Sequence, residues 1–336
     1  MRFRYAGLLL AACLCSVSMA LGAENAEDKL RVVSVAIPST PWHELWVNFS
    51  KRLNERPGNR LQPVLYITGQ LGSEESTLSQ MRRSRIQMGG FSLQGASAVV
   101  PELGVLLAPY LFTSEEEVDF AMDRHLREVF TRLFAEKGLT FLRWGEVGWT
   151  SIYGIRPIMS PAESRGLKLR SSNALASQYL VQAIGANMVP LPFPDIIPSL
   201  QTGLIDGGAS GIVFFAISGA ARQAPHVTLT RHAYDTGVIL ADKKWYEGLP
   251  ESARQDIEAS LDQSAQLRAA VRQAAQQILK NSADYGITFH EISAEQRAAW
   301  QSATRGNHKK LLRVIGGQAT AVHDAVLRAR ADFKVR

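Results

Sequence analysis

Apolar positions along the chain recur with two periods, every second residue and every third or fourth, and the two patterns alternate. The elements they predict run strand, helix, strand, helix. Residues 30–37 read as a first strand. Ser39-Thr40-Pro41 then opens a helix to about residue 56, with Trp42, Leu45, Trp46, Phe49 and Leu53 on one face. A strand at 62–67 leads to a helix begun by Ser73, with Glu74 and Glu75 in its first turn where acids complement the helix dipole. A short buried strand at 87–92 follows. Ser114 and Glu117 have the spacing of a capping box, which predicts a helix to about residue 136. Strands are expected at 140–146 and 151–158. Near the end, an Ala-rich pattern over 251–281 predicts a single helix of about 45 Å, long enough to brace more than one half of the molecule. Ser293 caps a further helix, interrupted near Gly316-Gly317.

Residues 161–211 are the densest part of this pattern. Leu167-Lys168-Leu169-Arg170 alternates as a strand does, Ser171, Ser172 and Asn173 are helix-cap types, and 174–184 is a helix ended by Gly185. A strand at 188–191, a helix at 194–202 closed by Gly203 and a Gly-rich turn, Asp206-Gly207-Gly208-Ala209-Ser210-Gly211, complete the block. Arg170 therefore sits where a strand gives way to a helix, and its guanidinium is expected to share a crevice with unpaired backbone N–H groups. Such a place suits a carboxylate, at about 1.5–3 kcal/mol for the charged hydrogen bond. Micromolar affinity needs about 8 kcal/mol, so Arg170 orients a ligand without holding it alone. The alternative is a surface Arg paired to a nearby acid. Chain crossings near residues 148 and 236 predict an α/β protein of two lobes with a cleft between them. The first lobe is 29–148 with 237–250, the second 149–236, and 251–336 packs across both.

The N-terminus adds an address. Arg2 and Arg4 precede an apolar run to about Leu21 and small residues to Ala23, the pattern of a cleavable secretory signal over residues 1–23, cut after Ala23 or Ala20. Leu10-Ala11-Ala12-Cys13 also fits a lipoprotein box, but the apolar run continues past Cys13. Both cysteines, Cys13 and Cys15, lie in this leader, so no disulfide is expected in the mature chain. Without the two leader arginines the formal charge of +6 becomes +4, a mild excess that favours anionic solutes and is no nucleic-acid signature. Reacting groups with the spacing of an enzyme motif are missing. Ser210 lies outside any G-x-S-x-G elbow, no phosphate-binding Gly-rich loop occurs, and the seven histidines form no metal-ligand pair. Neither an enzymatic activity nor a cofactor is expected.

The run GLKLRSSN, then Ile184-Gly185-Ala186 and VPLPFPDIIPSLQTGLIDGG, resembles the solute-binding proteins of tripartite ATP-independent periplasmic (TRAP) transporters of the DctP type, whose usual pattern is LKGLKIR, LGA and PMPFSEVYTALQTGVVDGQENP. Gly69-Gln70-Leu71-Gly72 and Leu249-Pro250 after Trp245 extend the likeness to about residues 30–320. The resemblance implies a periplasmic receptor with the two-lobed binding-protein fold. Such a receptor closes on a small organic acid and delivers it to the small and large membrane permease subunits. It further implies that Arg170 binds the carboxylate, that Asn173 is a neighbouring polar contact and that Phe193 packs on the ligand. Thr150 and Ser210 stand where many members carry a second Arg and an Asn. That departure points to a monocarboxylate, with Trp149, Phe193 and Phe214 around an apolar body; Trp149 and Phe214 are alternatively interior packing residues, Phe214 the more so. Trp42 and Glu75 are candidate contacts from the first lobe, Trp42 alternatively a core residue, and His232 and Tyr234 mark the return crossing. Two other functions compete: presentation of the ligand to a membrane sensor kinase, and a secreted α/β enzyme with a site assembled from distant residues.

Overall fold

A computed structural model describes residues 29–335. The leader, its cleavage site and Cys13 lie outside the described residues.

Among the described residues eleven strands form two sheets: β1 (Lys29–Ser34), β2 (Gln62–Tyr66), β3 (Met88–Phe91), β4 (Leu139–Trp144), β5 (Gly148–Gly154), β6 (Lys168–Ser171), β7 (Asn187–Pro190), β8 (Gly207–Gly211), β9 (His226–Asp235), β10 (Val238–Asp242) and β11 (Thr288–His290). The first sheet has the order β2-β1-β3-β10-β4 and the second β11-β9-β5-β8-β6-β7. The first is parallel in β1, β2 and β3, with β10 antiparallel to both β3 and β4. Each sheet carries one lobe. Alternation along β1 sends Val33 to one face of the first sheet and Leu30 and Val32 to the other, so helices cover both sides. On the far side of the second sheet, Ile152 and Leu169 pack with Leu180, Val181 and the fully buried Trp300.

The chain passes from one sheet to the other at 145–147 and back at 236–237. These two segments are bonded to each other: Gly145 N donates to Gly237 O at 3.0 Å and Val147 N to Asp235 O at 2.9 Å. The lobes are thus joined by a two-stranded strap, and the cleft opens beside it.

The helix Pro41–Asn54 follows its sequence pattern. Thr40 caps it, and Trp42, Leu45, Trp46, Phe49 and Leu53 are its buried residues. The helix Glu74–Met81 is capped by Ser73. Four expectations need correction. First, 251–281 is two helices, Glu251–Ser260 and Ser264–Lys280. Gln263 leaves helical dihedrals, and its side chain donates to the carbonyl of Ser260 at 3.3 Å, which satisfies a helix-end acceptor. The bend lets the first segment lie on Pro41–Asn54, while the second packs on that helix and on Ile212–Ser218 of the other lobe. Second, Glu117 does not close a capping box. It reaches past Ser114 to the N–H and hydroxyl of Thr113 at 2.6 and 2.9 Å, because its other oxygen is taken by Arg330 at 2.9 Å. Third, the N-cap of Leu175–Ala183 is Ala174, which offers no side-chain bond, and Ser172 and Asn173 sit in the turn before it.

Fourth, Gly207–Gly211 is no turn but a strand in the interior of the second sheet, antiparallel to β5 and parallel to β6. Its glycines answer to space. A Cβ on Gly207 falls 2.2 Å from the Tyr153 carbonyl oxygen, and one on Gly208 falls 2.9 Å from the Tyr153 hydroxyl and 3.2 Å from Arg170 Cβ. A further strand, β11, was not anticipated; it is three residues long and pairs with the start of β9.

Substituting Gly207→Ala is expected to destabilise the fold by about 1–3 kcal/mol through overpacking against the β5 backbone, read as a lower midpoint in urea denaturation. An unchanged midpoint contradicts the assignment of Gly207 to a close-packed strand.

Candidate functional site

Between the lobes lies a cavity walled by Ser34, Trp42, Trp46, Glu74, Glu75 and Ser92 from the first lobe and by Thr150, Arg170, Ser172, Phe193, Ser210 and Phe214 from the second. Glu146 and Asp235, at the strap, form its floor.

Arg170 projects from the end of β6 and is 7% exposed. Its Nε donates to the carbonyl of Leu191 at 2.9 Å, which anchors the guanidinium plane. Neither terminal nitrogen bonds or pairs with any described residue. Burial pulls the Arg170 pKa down, against the opposing influence of Tyr153, Glu74 and Glu75. The Tyr153 hydroxyl next to it is buried without a hydrogen-bond partner among the described residues, and burial raises it to about 12. A desolvated cation with free donors is a ready partner for an anion.

The aromatic wall is continuous across the cleft. Trp42 and Phe214 stack from opposite lobes with centroids 4.1 Å apart and an interplanar angle of 11°, and Phe193 meets Phe214 edge-on at 5.4 Å. Trp42 Nε1 donates to the Glu146 carbonyl at 2.5 Å, tying the first helix to the strap. At the rim, Asn173 Nδ2 donates to Glu75 Oε1 at 3.2 Å, again from lobe to lobe.

Acids dominate the opposite wall. Both oxygens of Glu74 accept from Ser92, its N–H at 2.6 Å and its hydroxyl at 2.7 Å. Asp235 Oδ1 accepts from Leu93 N and Gly237 N, each at 3.0 Å, while its Oδ2 is buried without a partner. Burial raises Glu74 to about 7 and Asp235 to about 6, in each case against the lowering effect of these bonds. Glu146 is also raised by burial, to about 7, but it is bound by the Tyr234 hydroxyl and by Arg272 Nε at 3.0 Å.

Of the residues singled out in the sequence, Arg170, Phe193, Ser210, Thr150, Glu75, Trp42 and Phe214 all line this cavity. Asn173 does not; it is exposed and fastens the rim. Trp149 is also elsewhere, because the alternation of β5 that turns Thr150 into the cleft turns Trp149 out of it. Its ring stands at 87° to Tyr234, 4.9 Å away, beside a separate hollow lined by Arg231, Arg272 and Arg297. His232 is 3% exposed, 2.8 Å from the Thr230 hydroxyl, and burial pushes its pKa down to about 3; it does not line the cleft. Sequence reasoning missed Glu74, Ser92, Glu146 and Asp235 as cavity residues. Only the position of Asp235 just before the return crossing offered a signal. Among the described residues no group of three or more His, Cys, Asp or Glu is placed to hold a metal ion, and no helix is long and apolar enough to cross a membrane.

Two α/β lobes on a strap, enclosing a buried cation and an aromatic wall, define a two-lobed solute receptor. Residues 32–313 match the description of the bacterial extracellular solute-binding proteins, family 7 (DctP), and the chain belongs to that family. Its members are receptors that bind small solutes in the periplasm and work with membrane permeases. Similar proteins include a solute-binding protein of Chromohalobacter salexigens, 28% identical over 86% of this chain and 85% of its own length. The ectoine-binding periplasmic protein TeaA of Halomonas elongata is 26% identical over 80% of each chain. Among solved structures, a TRAP periplasmic solute-binding protein of Chromohalobacter salexigens with bound D-glucuronate superposes with a TM-score of 0.81 at 26% identity, over 88% of this chain and 99% of that one.

The raised carboxyls set a pH dependence. The folded protein keeps protons on Glu74, Glu146 and Asp235 that the unfolded chain has released, so their stabilising contribution is complete below about pH 4 and is lost as pH rises through about 6–7. Glu74→Gln is expected to flatten the decline of the thermal midpoint between about pH 4.5 and 7.5, followed by scanning calorimetry. A slope equal to that of the unaltered protein removes Glu74 from this account.

Proposed function

We propose that this chain is exported by cleavage of its leader after Ala23 or Ala20 and serves as a periplasmic receptor for a small monocarboxylate. It hands that acid to the small and large membrane subunits of a TRAP-type secondary transporter. Arg170 grips the carboxylate, and Thr150, Ser210 and Ser172 supply polar contacts beside it. Phe193, Phe214 and Trp42 cover the body of the ligand. The moving halves are 29–148 with 237–250 and 149–236, hinged at the strap, with 251–336 packed across both.

The observation that carries this reading is the buried Arg170 guanidinium, with its two terminal nitrogens free of partners among the described residues. Arg170 is also the only Lys, Arg or His among the described residues lining the cavity, so a second buried carboxylate has no partner there. The names of the relatives, for ectoine and for D-glucuronate, agree with a small polar acid. The ligand is expected to be released unchanged.

A thermal-shift screen over organic acids, followed by titration calorimetry, tests the reading. Arg170→Ala is expected to weaken binding of any acid that stabilises the protein by at least about 30-fold, since it strips the partner from a desolvated carboxylate. Unaltered affinity in Arg170→Ala, or a clear preference for small dicarboxylates, contradicts respectively the binding mode or the monocarboxylate assignment.

A further inference from the structure

The cleft is charged unevenly for a receptor of simple anions. One guanidinium, from the second lobe, faces Glu74, Glu75 and Asp235 from the first lobe and the strap. Glu146 differs from these three, because Arg272, on the brace helix Ser264–Lys280, neutralises it. Arg272 does not line the cavity. Once a ligand carboxylate has taken up the charge of Arg170, the acidic wall has no cation left to face. Its hydrogen bonding is incomplete: Glu75 spends only Oε1, on Asn173, and Asp235, held by Leu93, Gly237 and Gln94, keeps an Oδ2 that is buried with no hydrogen-bond partner among the described residues. The third boundary is the aromatic wall of Trp42, Phe214 and Phe193, whose ring faces, the negative side of the quadrupole, attract a desolvated cation far better than a hydroxylated or purely anionic body.

Resting on the carboxylate-receptor reading above, we infer that the solute is a zwitterion: its carboxylate meets Arg170, and a cationic nitrogen on a compact body faces Glu74, Glu75 and Asp235 against the Trp42–Phe214 wall. Such a ligand neutralises both sides of the cleft at once. It also bridges the lobes by charge, because Arg170 and the acids Glu74 and Glu75 belong to opposite halves. Groups facing this position are Arg170, Tyr153, Glu74, Glu75 and Asp235, with the Ser92 hydroxyl bonded to Glu74. A dicarboxylate gains nothing from this arrangement and meets like charge on the acidic side.

Titration calorimetry on the mature protein separates the possibilities with four probes: ectoine and N,N-dimethylproline, which carry a cationic nitrogen beside the carboxylate, and D-glucuronate and cyclohexanecarboxylate, whose bodies are uncharged. The expected result is that at least one cationic probe binds about tenfold or more tightly than both uncharged-bodied acids. Glu75→Gln and Glu74→Gln, each checked for folding by circular dichroism, are expected to lower that preference about tenfold or more. Tighter binding of D-glucuronate or cyclohexanecarboxylate, or no binding of either cationic probe, overturns the zwitterion assignment. The unaltered protein decides this even if a variant fails to fold. Loss of acid binding in Arg170→Ala alongside such a result leaves the receptor reading standing, whereas an Arg170→Ala protein that binds every acid normally removes that reading as well.

Discussion

A guanidinium removed from water and left with unused donors is the constraint around which the cleft is built. Desolvating an Arg is costly unless an anion answers it. The chain sets that charge on the end of β6 and fixes its plane through the Leu191 carbonyl. It then clears space beside it with glycines in β8, where a Cβ at position 208 would press on both Arg170 and Tyr153. The run of small residues in β8 is therefore the negative image of Arg170. A bulkier strand there would displace the arginine, and with it the only cation lining the cavity among the described residues.

The same geometry ties the aromatic wall to the hinge. Trp42 belongs both to the aromatic wall and, through its indole N–H, to the Glu146 carbonyl at the strap. The Glu146 side chain accepts from Tyr234 on the opposing strand and from Arg272 on the brace helix, and Arg272 in turn holds Asp119 of the first lobe with two bonds of 2.8 Å. Movement of one lobe against the other must therefore rearrange or carry along a charged network and not simply bend a flexible loop. Networks of this kind have discrete arrangements, which suits a receptor that has to present two distinct shapes to a membrane partner.

Much of this was legible in the sequence, for physical reasons that differ between elements. The helix Pro41–Asn54 and the strand bearing Arg170 were readable because periodicity reports burial, and every residue of the predicted face of that helix is in fact buried. The crevice position of Arg170 followed from its place at the end of a strand, and the role of Phe193 from the resemblance of the central block. What failed was decided by tertiary context. Gly207–Gly211 has the composition of a turn, yet neighbouring strands on both sides recruit its backbone. Trp149 and Thr150 are adjacent, and only the pleat of β5 determines which of them faces the cleft. The acids Glu74 and Asp235 come from elements about 160 residues apart in the chain, and no local pattern announces that they converge on one cavity.

Convergence of those acids also bears on the energetics of closing. The aromatic stack and the Asn173–Glu75 bond join the lobes directly, so the protein's own contacts contribute to closure. Working against it are an unanswered cation on one lobe and carboxyls held above their ordinary pKa on the other side. A solute shifts the balance only by what it contributes differently to the two shapes. Contacts to a single lobe are made equally when the cleft is open, whereas charges answered on both lobes are gained only on closing. The distribution of charge across the cleft thus assigns discrimination to the closed state, where a membrane partner can read it.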